Sequence, residues 1–143
     1  MSILNCLPEY EFHRELDVAR RLYDDHHYDE AVRKGTQRFI NRVQELADRH
    51  DLDGVGLLNK AFSETTPLLV FSERKTLVER DEHNGYRSLS VGLAQALRNV
   101  LSHADDYGLS EISAFEWLCF ISAMHRRLDN VIQIPLQRTD ATE

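Results

Sequence analysis

Cysteine is almost missing from this sequence. Cys6 and Cys119 stand alone, with no CxxC pair and no spacing that suggests a disulfide framework or a thiolate metal site. Proline and glycine are scarce too, at three and six residues, so few breakers interrupt the helical patterns between them. No apolar run approaches the roughly 20 residues of a membrane helix. The start, Met1-Ser-Ile-Leu-Asn-Cys6, has neither the basic opening nor the apolar stretch of a secretory leader, so the cytoplasm is the expected compartment. Positive charge is in deficit: 17 basic against 24 acidic residues give a net charge of −7. A broad nucleic-acid surface needs the opposite sign. The basic residues are nevertheless mostly arginine, 14 of the 17, and a planar guanidinium grips phosphate well. Any nucleic-acid contact is therefore expected in one confined groove. Internal repeats, low-complexity tracts and domain boundaries are lacking as well.

What remains is a 143-residue chain, 42% apolar and 29% charged, enough for one hydrophobic core and short for two. Its patterns predict an all-α fold, an antiparallel bundle of four main helices plus a short one. A single domain over 1–143 is expected, with its core at about 11–132 and frayed ends. The first helix is expected from Glu11 to Asp24 and, after the turn Asp25-His26-His27, the second from Tyr28 to His50. In the second, Ala31, Val32, Gly35, Phe39, Val43, Leu46 and Ala47 recur at three- and four-residue steps and share one stripe. Asp51-Leu-Asp-Gly-Val-Gly56 breaks that helix, and Leu57 to Phe62 reads as a turn or two. Residues 63–79 are irregular, with Pro67 to Phe71 a brief strand or a buried crossing. So long a connection in a small domain suits a lid or a partner-binding loop. A third long helix is expected from Arg80 to Leu101, with Tyr86, Leu89, Leu93, Ala96, Leu97, Val100 and Leu101 as its apolar face. The last runs from Ser110 to Val131.

Arg98-Asn-Val-Leu-Ser-His103, at the end of the third helix, pairs a cation that holds phosphate with an imidazole that moves protons. The ordinary pKa of histidine lets it act as acid or base near neutrality. RNA carries its own nucleophile in the 2′-hydroxyl, so this kit needs no metal and no cofactor. Asn99 is placed to orient the imidazole or a phosphate oxygen. Spacing alone decides little, because Arg21 and His26 share it. The plainer reading makes Arg98 a helix-end cation and His103 a capping residue. Helix geometry adds a constraint: residues five apart lie about 140° apart around an ideal α-helix, so Arg98 and His103 do not share a face. Either the helix ends near Leu101 and frees His103, or a second chain completes the site.

Other groups have simpler readings. Asp24-Asp25-His26-His27 has no second cluster at ligand spacing and reads as a solvated turn rather than a metal site. His125-Arg126-Arg127 is a cation group at a helix C-terminus, which the helix dipole favours. If that end lay beside His103, these three would be substrate-binding residues. Trp117 and Tyr86 read as core or interface aromatics, with base stacking the alternative. Gly54-Val-Gly56 is too short for a phosphate-binding fingerprint.

Three blocks carry a resemblance. They are Leu22-Tyr-Asp-Asp-His-His-Tyr28-Asp-Glu-Ala31-Val32, then Leu57-Leu-Asn-Lys-Ala61-Phe62, then Asp81-Glu-His-Asn-Gly85-Tyr86 followed by Leu89, Gly92 and Leu97-Arg98-Asn99…His103. In this order, over about residues 13–130, they resemble the Ymh-type family of bacterial and phage proteins. That family is similar to the HEPN superfamily of helical bundles, whose active members carry an Arg, often followed by a polar residue, and a His shortly after. The resemblance implies a HEPN-like bundle with Arg98, Asn99 and His103 in the catalytic positions. It implies a homodimer whose two motifs face one cleft, cutting RNA without metal as a toxin or abortive-infection effector in phage defence. An antitoxin or regulatory protein is then an expected partner, and no membrane is. Two positions depart from the pattern: Val100 stands where Pro is usual, which lets the helix run further, and Asp105 stands where some antitoxin-paired members have Tyr. The alternative reading is a non-catalytic helical module that binds a protein or nucleotide partner. The acidic balance, the 63–79 connection and a start at Tyr28-Asp-Glu-Ala31-Val32 like that of tetratricopeptide helices support it, although no second copy of that start exists.

Overall fold

The structure, a computed structural model, describes residues 10–135; Cys6 and the tail after Pro135 lie outside the described residues. His13 opens the helical part. Its Nδ1 accepts the Glu15 N–H at 3.1 Å and caps a 3-10 turn, Arg14–Leu16, that leads into α1, Asp17–Asp24. The first helix thus begins later than its pattern suggests, because the His13 N–H is held by Ser122 Oγ at 2.8 Å. α2, Tyr28–Ala47, follows its stripe, with Ala31, Val32, Phe39, Ile40, Val43 and Ala47 buried. It stops short of His50 because Asp48 turns left-handed at φ 51°, and the N–H groups of Asp48 and Arg49 close back on the Glu45 and Gln44 carbonyls.

α3, Gly54–Ala61, is followed by a buried crossing, Pro67–Phe71, that contains strand β1, Leu69–Val70. Its partner β2, Ile132–Gln133, pairs antiparallel with it, Leu69 opposite Gln133 and Val70 opposite Ile132. α4, Leu77–Leu93, starts three residues before Arg80 because Thr76 and Glu79 form a reciprocal cap. Thr76 Oγ1 accepts the Glu79 N–H at 3.1 Å and the Glu79 carboxylate accepts the Thr76 N–H at 2.9 Å. The helix then continues through a π-helical segment, Ala94–Asn99, into α5, Val100–His103. α6, Glu111–Leu128, is capped by Ser110. Among the described residues no helix is long and apolar enough to cross a membrane.

Successive long helices alternate in direction. α1 and α2 form a hairpin, and α6 returns along α4, with Arg127 meeting Glu82 and Tyr86. α2 lies at the centre, packed against α1, α3, the π segment and α6. It runs in the same sense as α6, since Gly35 faces Leu118 and Arg42 faces His125 and Asp129. Gly35 allows this approach: a Cβ there would stand 3.2 Å from Leu16 Cδ2 and 3.3 Å from Leu118 Cδ2. Phe39, Ile40, Leu57, Leu58, Phe62, Leu118 and Ile121 form the centre of the buried cluster. Burying each such side chain stabilises the fold by about 1.5–3 kcal/mol before conformational entropy is counted.

The π segment decides which face of the third long helix points inward. Bonding from i to i+5 widens the turn by about one residue, so residues four apart stay aligned. Leu93, Leu97 and Leu101 are all buried as a result. Val100, which an ideal helix would turn toward the core, is 41% exposed, and Leu89, in the regular helix before the segment, is 44% exposed. The outer side carries Leu89, Gly92, Ala96, Val100 and His103.

Candidate functional site

The π segment and α5 supply all three residues of the Arg98…His103 motif. Arg98 reaches toward α3, where its Nη2 donates to Asp53 Oδ2 at 3.3 Å. Gly54, the first residue of α3, lies against the guanidinium. A Cβ on Gly54 would stand 2.5 Å from Arg98 Nη2, and Gly54 also holds φ +56°, where L side chains are strained. Two demands therefore select glycine here. Arg98 Nε is buried and meets no hydrogen-bond partner among the described residues. Among the described residues, one of the five guanidinium N–H donors is engaged, in a long bond to a carboxylate that is itself 60% exposed. Asp53 makes no side-chain cap bond to the α3 amides, and the first N–H groups of any helix lack intrahelical acceptors. A cation beside the positive end of a helix dipole is unfavourable. An anion bridging both would relieve it.

Replacing Gly54 by Ala tests this packing. The left-handed backbone makes the substitution cost about 1–2 kcal/mol, and the new methyl forces the Arg98 guanidinium to swing away. In an Arg98→Ala background only the backbone strain remains, so the loss in thermal stability should be smaller there. Equal losses in both backgrounds would show that the two residues do not press on each other.

His103 is the last residue of α5 and is exposed. The helix does not end at Leu101. The Val100 N–H donates to the Leu97 carbonyl, a bond proline cannot make, and the Ala104 N–H closes on the Val100 carbonyl at 3.0 Å. The loop beyond is pinned by Asp29 at the start of α2, whose carboxylate accepts the N–H groups of Tyr107, Gly108 and Leu109 at 3.0, 2.9 and 2.8 Å. Asn99 is half-buried and, four residues before His103, lies on the same side of the helix. In one chain, then, Arg98 turns to α3 while His103 faces solvent at the end of an unbroken helix. Early release of His103 from the helix does not occur.

The His125-Arg126-Arg127 group requires correction. His125 is fully buried, its ring stacked on His13 at 5.3 Å and edge-on to Phe39 at 5.6 Å. Burial first, and then the neighbouring Arg42 charge, push its pKa down to about 3, so the ring is neutral and unavailable to phosphate. Arg126 donates to Ser122 Oγ at 2.7 Å and to the Glu11 carbonyl at 2.6 Å. Arg127 lies over the rings of Phe71, at 4.7 Å, and Tyr86, at 5.4 Å, and pairs with Glu82. Glu82 stands 21 residues before His103 on one continuous helix, about 31 Å away at 1.5 Å per residue. The trio is therefore not beside His103.

The second Arg-His spacing assembles nothing: Arg21 is exposed on α1, and His26, at φ 63°, shares a 2.7 Å hydrogen bond with the Tyr28 hydroxyl. No three His, Cys, Asp or Glu side chains converge as metal ligands among the described residues. Trp117 is 38% exposed and packs edge-on to Phe120, while Tyr86 is held between Phe71 and Arg127. The residues that sequence reasoning missed are Asp53 and Gly54. Their signal was an Asp-Gly pair opening a helix, which reads only as a break when the partner arginine, 45 residues away, is unknown.

No curated protein and no solved structure matches the chain. A family profile described as "Protein of unknown function (Hypoth_ymh)" matches residues 11–128, from just before the His13 cap to the last residue of α6, with Arg98, Asn99 and His103 inside the match. The chain belongs to the Hypoth_ymh family.

Proposed function

We propose that the protein is a metal-independent endoribonuclease of the HEPN type, working as a homodimer in a toxin or phage-defence system. The observation that carries this reading is the under-partnered Arg98 guanidinium at the amino end of α3, with its Nε unpaired among the described residues. A scissile phosphate there would gain charge-assisted bonds from Arg98 and from the α3 amides, and these strengthen as charge develops on its oxygens. In the cleavage step the RNA 2′-oxygen attacks phosphorus and its proton passes to an imidazole. The P–O5′ bond breaks, and the departing oxygen takes a proton from solvent, to which the imidazolium then returns its own. The products are a 2′,3′-cyclic phosphate, which water opens to a 3′-phosphate, and a 5′-hydroxyl. His103 is the motif's one imidazole, and at each phosphate it comes from the chain opposite the one that supplies Arg98, with Asn99 positioning ring or phosphate. The outward strip of Leu89, Gly92, Ala96 and Val100 suits close approach of a second copy, helix on helix.

The second reading, a helical module that binds without catalysis, is favoured by one fact: within a single chain Arg98 and His103 face different ways. Incubating the full-length protein with total cellular RNA in EDTA decides between them. Cleavage to cyclic-phosphate ends is expected, with Arg98→Ala and His103→Ala each lower by about 10²–10⁴. No cleavage by the unaltered protein, or equal cleavage by the His103 variant, overturns the ribonuclease and leaves the binding module.

A further inference from the structure

Between the 62–76 connection and the first turns of α4 lies a cavity of about 240 Å³, lined by Glu64, Glu73, Arg74, Arg80, His83 and Asn84. It is far from the motif: His83 and Arg98 are 15 residues apart on one helix, about 22 Å. His83 is only 1% exposed. Its Nε2 lies 3.0 Å from the Phe62 carbonyl and 3.1 Å from that of Ser63. Carbonyls only accept, so Nε2 carries the hydrogen, and in the neutral ring Nδ1 is left with a lone pair. That Nδ1 is buried and meets no partner among the described residues, and the same is true of Asn84 Oδ1. Two buried acceptors without donors on neighbouring lining residues are unusual, because each forfeits about 1–3 kcal/mol of hydration when left unpaired.

The rest of the lining is built for charge. Arg74 is held at φ +53°, a left-handed backbone that an arginine adopts only when its surroundings impose it. Ser72 Oγ accepts the Arg74 N–H at 3.2 Å, and Arg74 Nη1 donates to the Glu64 carbonyl at 2.6 Å. Arg80 Nη1 donates to the Lys75 carbonyl at 2.9 Å. Among the described residues each guanidinium thus spends one N–H on backbone and has others left over. Glu73 is paired with Lys75, which leaves two guanidinium charges against the Glu64 carboxylate. A ligand suited to this lining brings donors to the floor and several anionic acceptors to the rim. Phosphate presents three such oxygens, where a carboxylate would be satisfied by one arginine. The volume is many times that of a water and just below the roughly 300 Å³ at which drug-sized pockets begin.

We propose that this cavity binds a small phosphorylated polyol, on the scale of a pentose phosphate. Its hydroxyls donate to His83 Nδ1 and Asn84 Oδ1, and its phosphate lies between Arg74 and Arg80. The site is independent of the ribonuclease reading and stands or falls without it.

The test titrates the ¹⁵N-labelled full chain with ribose 5-phosphate and, in separate arms, with ribose and with inorganic phosphate, following the His83 ring nitrogens and the Asn84 side-chain amide. Ribose 5-phosphate should shift both signals saturably and bind at least about tenfold more tightly than either fragment. Arg80→Gln, an exposed position whose change leaves the core alone, should weaken binding by about tenfold, as should Arg74→Gln. Arg98→Ala should leave it unchanged. Inorganic phosphate binding as tightly as the sugar phosphate would mean an adventitious ion only and overturns the proposal. So would His83 and Asn84 signals that stay still in all three arms.

Discussion

Heterodimers built from one Arg98→Ala chain and one His103→Ala chain should regain RNA cleavage that each variant has lost alone. The reason lies in how α5 presents the motif. Arg98 is turned toward α3 and held against Gly54, while His103 stands exposed at the end of the same unbroken helix. If cleavage needs both groups at one phosphate, the shortest way to join them is across a two-fold axis. A symmetric dimer then has two composite sites, each taking its arginine from one chain and its imidazole from the other. In the mixed dimer one site keeps both groups and the other loses both. Dimers isolated through two different tags should therefore retain about half the unaltered activity, against about 10²–10⁴-fold losses in the parent variants. Mixed dimers as inactive as their parents would place the catalytic pair within one chain, and the exposed strip from Leu89 to Val100 would need another partner.

How far the sequence reaches can be judged element by element. The α2 stripe predicted a buried helix, and Ala31 to Ala47 are buried on it because three- and four-residue steps leave no other face apolar. The start of α4 was also written there: Thr76 and Glu79 have the spacing of a reciprocal cap, which outweighs the irregular look of residues 63–79. The π segment was not, since an ideal 3.6-residue turn assigns Val100 to the core and only the packed helix reveals the wider turn. β2 is two residues long and exists through its pairing with the buried crossing, a contact without local signal.

At the candidate site the motif itself is common in spacing, and the family match over residues 11–128 spans the ordered blocks around it. Its immediate setting, Asp53 and Gly54 under Arg98, is a tertiary fact. His125 is different. It shares the three- and four-residue steps of Leu118, Ile121, Ser122 and Leu128, all buried, so its place on the inner stripe of α6 was legible. The flanking arginines, which suit a helix C-terminus anyway, drew it into a surface reading instead.

That burial gives the fold a pH dependence. Stability should fall by about 2 kcal/mol between pH 6.5 and 4.5. The folded-state pKa of His125, about 3, lies below the value of about 6.5 that it takes in the unfolded chain. As pH falls through 6.5 the unfolded chain takes up a proton that the folded one refuses. Stability is then lost by up to about 1.4 kcal/mol per pH unit until the folded ring also titrates. The groups around the ring explain the refusal. Arg42 from α2 donates to the His125 carbonyl, and His13 stacks on the ring; both disfavour a further positive charge, which Glu15 only partly offsets. Asp129 is already engaged by Arg42 and His13. Carboxylates held low by partners, Glu15 by Arg38 and Glu30 by Arg33, lose their contribution only below their ordinary range near 4.5. The interval from 6.5 to 4.5 therefore isolates imidazole. Urea denaturation at both ends should give a clear drop for the unaltered protein and a flatter response for His125→Gln, whatever that variant costs at neutral pH. Equal slopes for the two proteins would mean that the pH dependence belongs to another group.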